Sequence, residues 1–423
     1  MTKILIVTRC FYPHGDATSG VVGNLAKALK QQGCDVSILA LASYKEDEKH
    51  NSWYGIDVKN IYVAESRLKE QIKKELKEKP IRTTLITAKK SIIKLYGKIN
   101  PKYKRLSINP VLSISYRKYL KSVLNENHYD LCLITMMPHE AVWAMMSLIK
   151  QNSVKTPFGV LQYDTFWNQE EIPVKYKEDR FRFEQDIANQ SLFVMTTRQI
   201  YSANTERDAS LKGKLISSEF PSVVEKLSEE KTLSDGKTHC VFLGRLYEKI
   251  RPPEKVVKVI AGLDLSDIVF DFYGMGQELI ENSPDYLEAK SRIVLHGSVG
   301  NEEAEKVRAL SDVLVNIDNA NLSQVPSKIF EYISSCKPIL NFYFDDNSPI
   351  LDYLYRYPNC LNVNVNKQLD YNLIKDFIIK SKLTKLDFST IQDIFSKNTP
   401  DYVAQQCLNA FKNATRETQT LKF

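Results

Sequence analysis

Short apolar runs alternate along the chain with amphipathic stretches of helical spacing. Lys3 to Val7 is apolar and reads as a buried strand. A loop of small and polar residues runs from Arg9 to Gly20, and Val21 to Gln31 then places Leu25, Ala28 and Leu29 on one helical face before Gly33. Asp35–Leu41 is a second strand. Strand, glycine loop, helix, glycine, strand is the opening of an open α/β sheet. The same pattern predicts strands at Tyr129–Thr135, Phe158–Gln162 and Ser191–Thr197, a strand pair over Trp53–Val63, and helices over Ala141–Lys150 and Glu178–Asn189. Residues 216–237 are rich in Ser, Glu and Lys and read as a linker. The pattern then restarts, with strands at His239–Leu243, Ile268–Phe272, Arg292–Leu295, Asp312–Ile317 and Lys337–Phe342, and helices over 254–262 and 302–310. A last helix is expected over 402–413, with Ala414–Phe423 as a frayed tail. The expected organisation is therefore α/β throughout, with sheet domains at 1–215 and 238–400 and a C-terminal helical segment at 401–423.

Length agrees with this division, since 423 residues exceed one ordinary domain. No apolar run approaches the ~20 residues of a membrane span. The first apolar run is too short for a signal peptide and leads into Arg9. The seven cysteines are scattered without a Cys-x-x-Cys or a paired histidine, which gives neither a metal site nor a disulfide framework. The expected location is the cytoplasm. The net charge of +7 is concentrated. Fourteen Lys or Arg against three Glu lie between Arg67 and Arg105, an excess larger than that of the whole chain. This segment reads as two helices parted near Pro80, with Leu68, Ile72 and Leu76 on one and Leu85, Ile92, Tyr96 and Ile99 on the other. Apolar and lysine-rich faces together suit the anionic inner surface of a cell membrane; a solvated insertion is the alternative. Its few aromatics do not interleave with the basic residues, against a nucleic-acid role.

Candidate chemistry collects after the predicted strands of the second half. Gly244, Gly274, Gly276 and Gly297 allow close approach to the backbone, and Arg245, Lys249 and Arg251 neutralise phosphate. Pro326 suits a first helical position, where the N–H groups of Ser327 and Lys328 would face an anion. Glu331 follows four residues after Ser327 on the same face and is placed to accept hydrogen bonds from a ribose diol. Together these describe a nucleotide-diphosphate site. The first strand is not followed by Gly-x-Gly-x-x-Gly, so a dinucleotide oxidoreductase is disfavoured.

The order Phe-Leu-Gly-Arg-Leu at 242–246, Tyr-Gly-Met-Gly at 273–276, His-Gly-Ser-Val at 296–299 and Pro-Ser-Lys-Ile-Phe-Glu-Tyr at 326–332 resembles the donor half of a GT-B glycosyltransferase. Within that fold the pattern is similar to that of bacterial glycosyltransferase family 4 and its kin. The opening, with Lys-Ile-Leu-Ile-Val and the glycine loop before Asn24, resembles that family's acceptor half. The resemblance is concentrated in about 240–340 and is weak over 44–125 and after 360.

It implies two Rossmann-like domains facing each other across a cleft, with the C-terminal helix returning to the first. It implies hexosyl transfer from a UDP- or GDP-sugar to a cell-envelope glycan or polyprenyl-linked acceptor, with retention of configuration, no metal and no further cofactor. Arg245 with Lys249 and Arg251 would hold the diphosphate, Gly244, Gly274, Ser327 and Lys328 would line the donor site, Glu331 would bind the ribose, and the Ser298–Val299 backbone would lie near the base. His14, Gly15, Ser19 and Gly20 would form the acceptor-side loop. This chain departs from the family at three points. Ser323 stands where a sugar-contacting Glu is expected, with Asn319, Asn321 and Gln324 around it. Tyr163-Asp164 replaces an expected His-Asp, which leaves Asp164, His139 and His14 as catalytic candidates. Lys249 is one residue closer to Arg245 than usual. Two alternatives stay open: a catalytically silent relative that binds a nucleotide sugar or a partner, and a nucleotide-sugar 2-epimerase.

Overall fold

The computed structural model describes residues 1–63, 66–67, 101–168, 172–226, 235–264, 267–320, 322, 325–381, 384 and 386–420. The basic helices expected between 68 and 100, and Asn321, Ser323 and Gln324, lie outside the described residues. Two compact units are present, Met1–Pro221 with Lys397–Phe423, and Ser222–Ser396.

The first unit holds strands β1 (Lys3–Val7), β2 (Asp35–Leu41), β3 (Ser52–Trp53), β4 (Ile56–Ile61), β5 (Leu131–Thr135), β6 (Phe158–Gln162), β7 (Val194–Thr197) and β8 (Leu215–Ser218). They form one sheet in the order β3-β4-β2-β1-β5-β6-β7-β8. Every pairing is parallel except the β3–β4 hairpin. Strands covered on both faces read as nearly continuous apolar runs, and β5 is buried from end to end. The helix Ala17–Gln31 starts four residues earlier than its apolar period suggests. Asp16 caps it: its carboxylate accepts from Ser19 N–H, and Ser19 Oγ accepts from Asp16 N–H at 2.8 Å. This capping box extends the helix into the expected loop. Val22, Leu25, Ala26 and Leu29 from its inner face share a core with Val403, Ala404, Cys407 and Leu408. Fully burying side chains such as Leu25 and Leu29 stabilises the unit by about 1.5–3 kcal/mol each.

Two boundaries need correction. Residues 216–218 belong to β8, paired with β7 through Thr196 and Ser217, rather than to a linker; Ser217 is exposed on this edge strand, where polar side chains are tolerated, and Ser218 is buried. The C-terminal helix is Pro400–Thr420, so most of the expected frayed tail is helical. Phe411 packs against the first unit's core, and Thr415 Oγ donates back to Phe411 O at 2.9 Å. Gln32 Nε2 to Asp401 O (2.9 Å) and Gln406 Nε2 to Ser217 O (2.8 Å) fasten the same helix.

The second unit holds β9 (Thr238–Leu243), β10 (Ile268–Tyr273), β11 (Ile293–Gly297), β12 (Val313–Ile317), β13 (Ile339–Tyr343) and β14 (Cys360–Asn364). All are parallel, in the order β11-β10-β9-β12-β13-β14. This is the doubly wound order, and it reverses between β9 and β12. A buried amide ladder fixes the register. Asn316 donates to Asn341 (2.7 Å), and Asn341 donates to Asn362 (2.8 Å) across three in-register strands. A slip of one residue would turn each amide to the opposite, apolar face.

No helix among the described residues is long and apolar enough to cross a membrane, and no described cluster of His, Cys, Asp or Glu is arranged to hold a metal ion. All seven cysteines are free thiols.

Candidate functional site

Ligands of doubly wound sheets bind beyond the carboxyl ends of the strands where the strand order reverses. In the second unit that place is the end of β9 beside the end of β12. Leu243 closes β9, and Gly244, Arg245 and a tight turn follow. Tyr247 N–H donates to Arg251 O (3.2 Å) and Arg251 N–H to Tyr247 O (3.0 Å), so the turn is closed on itself with Lys249 exposed at its tip. Ala320 N–H donates to Ile250 O at 2.7 Å and ties this turn to the segment after β12.

The Arg251 guanidinium is held over Gly244. Nη2 donates to Asn319 Oδ1 at 2.9 Å and Nη1 to Arg245 O at 3.4 Å. Burial lowers its pKa, opposed by the charge of Asp318 among others. Asp318 follows β12 directly and is 1% exposed. Its carboxylate accepts from Asn319 N–H (2.7 Å) and from Ser348 Oγ. Burial pushes its pKa up to about 6 in spite of these bonds. Arg245 is half-buried, its guanidinium 4.9 Å from the Tyr247 ring centroid.

The helix at 328–334 docks on the same strand end. Lys328 Nζ donates to Leu243 O at 3.2 Å, and the Tyr332 hydroxyl accepts from Leu243 N–H at 3.0 Å. The helix begins at Lys328 with Ser327 as its N-cap, so Pro326 lies outside it and is not its first residue. Ile329 N–H donates to Pro326 O at 3.1 Å, so the N–H groups of Ser327 and Lys328 precede the first turn bond. The helix has only seven residues, and its dipole is correspondingly slight; positive charge at this end comes mainly from side chains. Glu331 projects from the first turn and pairs with Arg308 of the helix Asn301–Leu310, Nη2 to Oε2 at 2.6 Å.

Gly274 is required by packing. Its φ is +132°, and a Cβ there would lie 1.7 Å from Gly244 O. Gly274 N–H donates to Gly297 O at 2.6 Å, which draws the ends of β9, β10 and β11 together. Ser298 and Val299 follow β11, with Ser298 exposed and Val299 half-buried. The structure thus gathers Gly244, Arg245, Arg251, Gly274 and Lys328 around the β9 terminus, with Glu331 one turn along the helix that Lys328 opens.

The first unit treats its candidates differently. Ser19 is occupied by the helix cap and by Cys10 O, to which its hydroxyl donates at 2.8 Å. Gly15 leaves room for it, since a Cβ there would meet Ser19 Cβ at 2.6 Å. Gly20 is exposed on the first helical turn, not in a loop. His14 Nδ1 lies 2.8 Å from the buried Asp47 carboxylate, which also accepts from the N–H groups of Ser43 (2.8 Å) and Tyr44 (2.9 Å). His139 opens the helix His139–Lys150 and is buried. Its Nε2 donates to Ser107 O at 3.2 Å, and its ring sits 4.8 Å from that of Phe166. Asp164 is half-buried after β6, and burial raises its pKa.

The segment after β6 is held by a network that the motifs did not reveal. Glu184, 5% exposed, accepts from Phe166 N–H (3.2 Å) and Asn204 Nδ2 (2.7 Å), while Asn204 Oδ1 accepts from Trp167 Nε1 (2.6 Å). Burial outweighs these bonds and pushes its pKa up to about 7. Arg308 was equally hidden, because a basic residue ending a glutamate-rich helix reads as an ordinary surface ion pair. Asp318 did carry a signal, an acid directly after a buried strand that is apolar but for Asn316.

No protein-family model matches the chain, and no curated protein matches it. Solved structures do. Sucrose-phosphate synthase from Thermosynechococcus elongatus superposes with a TM-score of 0.63 at 12% identity, over 99% of this chain and 100% of that one. TarM gives 0.62 at 11% identity, over 97% and 99%. A putative UDP-N-acetylglucosamine 2-epimerase from Listeria monocytogenes gives 0.55 at 11% identity, over 98% and 97%. The chain has the GT-B fold.

Proposed function

We propose that the chain is a glycosyltransferase that moves a sugar from a UDP- or GDP-sugar to a glycan or polyprenyl-linked acceptor of the cell envelope, with retention and without a metal. The observation that carries this reading is the convergence of Arg251, Arg245 and Lys328 on the β9 terminus, where the strand order reverses, with Glu331 one turn into the helix that Lys328 opens. Arginine there suits a diphosphate, and a partly exposed carboxylate suits a ribose. Catalysis would be largely electrostatic. Arg245 and Arg251, helped by Lys249 and Lys328, would stabilise the charge on the departing diphosphate. The first unit would bind the acceptor, with Asp164 closest to the family's catalytic position; His14 and His139 already have protein partners. Likeness to glycosyltransferases supports the reading, and a TarM G117R structure was obtained in complex with Fondaparinux, alpha-GlcNAc-glycerol and UDP.

Calorimetry with UDP and GDP tests it. Glu331→Ala and Arg245→Ala should each weaken binding about 10- to 100-fold, the range for a lost hydrogen bond to a charged group. Undiminished binding in both variants would refute the site. The likeness to a putative UDP-N-acetylglucosamine 2-epimerase favours a second reading, in which donor alone is converted. Incubation of UDP-sugars with and without lipid extract separates the two: transfer needs acceptor, whereas epimerisation does not.

A further inference from the structure

Arg308 has no place in the motifs that mark the site, yet the structure puts it directly behind Glu331. The two differ sharply in exposure: the Arg308 side chain is 5% exposed and that of Glu331 is 40% exposed. Arg308 Nη2 donates to Glu331 Oε2 at 2.6 Å. Its Nη1 lies 3.0 Å from Glu305 Oε2, and Glu305 is paired in turn with Lys226 at 2.6 Å. Arg308 O accepts from Ser311 Oγ at 2.8 Å, so the arginine is fixed at its backbone as well as at its head.

We propose that Arg308 is the positioning residue of the nucleotide site, holding the Glu331 carboxylate by one oxygen so that the other is aimed at the ribose hydroxyls. A glutamate on a helix surface has rotamer freedom that a ligand must remove on binding. A buried guanidinium removes it beforehand, and its own cost of burial is offset by the two carboxylates it pairs with, Glu331 and Glu305. The partly exposed end of the pair is the one available to a ligand. Arg308 does not itself touch the nucleotide; it acts through Glu331. The inference rests on Glu331 binding ribose, as proposed above.

The test measures affinity for UDP, or GDP if that binds better, against the matching 2′-deoxy and 3′-deoxy nucleotides. The wild-type protein should prefer the ribonucleotide by tenfold or more, the loss expected for a hydrogen bond to a charged group. Glu331→Gln should bring the preference close to one. Arg308→Gln should do the same, and the double variant should be no worse than either single one. Retention of the ribose preference in Arg308→Gln, with its loss in Glu331→Gln, would make Arg308 a tie between helices and overturn the proposal. So would a wild-type protein that binds UDP or GDP without preferring ribose. Failure of wild type to bind either nucleotide would instead remove the function proposed above, and this inference with it. If Arg308→Gln does not fold, Arg308→Lys carries the test. It keeps the buried charge without the planar fork, so its preference should fall between wild type and Glu331→Gln; an undiminished preference there overturns the proposal.

Discussion

Glu184 makes the stability of the first unit depend on pH in a direction opposite to most carboxylates. Its pKa in the fold is about 7, against the ordinary 4.5, because burial disfavours the charged form more than Asn204 and the loop amides favour it. The folded unit therefore binds a proton that the unfolded chain has released between those two values. Stability must fall as pH rises through that window and level off above the folded pKa. The displacement corresponds to about 3 kcal/mol in total, and to about 2–3 kcal/mol between pH 5 and 8. Glutamine is a near-isostere of the protonated acid and does not titrate. Subtracting the stability of Glu184→Gln from that of wild type cancels the other titrating groups and isolates this one. The assay is urea unfolding followed by tryptophan fluorescence. Trp53, Trp143 and Trp167 all belong to the first unit, and Trp167 touches the network through Asn204, so the signal reports this unit alone. The wild-type-minus-variant difference should decline by about 2–3 kcal/mol from pH 5 to pH 8. A difference constant across that range, with both proteins folded, would refute the assignment of Glu184 as a buried carboxyl group protonated near neutrality.

Gly274→Ala should destabilise the second unit by more than the 1–3 kcal/mol, roughly, of a Gly-only backbone conformation, because its Cβ would also strike Gly244 O. Circular dichroism should show the loss while tryptophan fluorescence does not, and a variant as stable as wild type would contradict the packing. The basic segment 67–105 should bind vesicles containing anionic lipid, with affinity falling as salt rises. Binding insensitive to salt, or none, would return it to a solvated insertion.

The alternation of apolar runs made both sheets legible, because a parallel strand covered on two faces is a nearly continuous apolar run and little else in a sequence imitates that. Failures fell where one strong local interaction overrode the pattern. Asp16 and Ser19 form a cap that carries the first helix into a stretch with no apolar period, and Ser217 pairs as an edge strand although its composition reads as linker. At the site, residues announced by the chain's local grammar were legible. Gly244, Arg245, Arg251 and Lys328 follow strands or open helices, and the structure brings them to one strand end. What stayed hidden is what depends on distance in sequence. Asn319 reaches Arg251 across 68 residues, and Ser348 reaches Asp318 across 30. Arg308 reaches Glu331 across 23, from a helix whose charges look solvated when read alone. None of these pairings has a spacing that a motif can encode, because each is set by how two crossovers land on one sheet. In the function proposed above, the motif residues name the class of ligand. The residues behind them decide whether a carboxylate or guanidinium is free to wander or already aimed, and that difference is where two proteins with the same motifs can part in affinity.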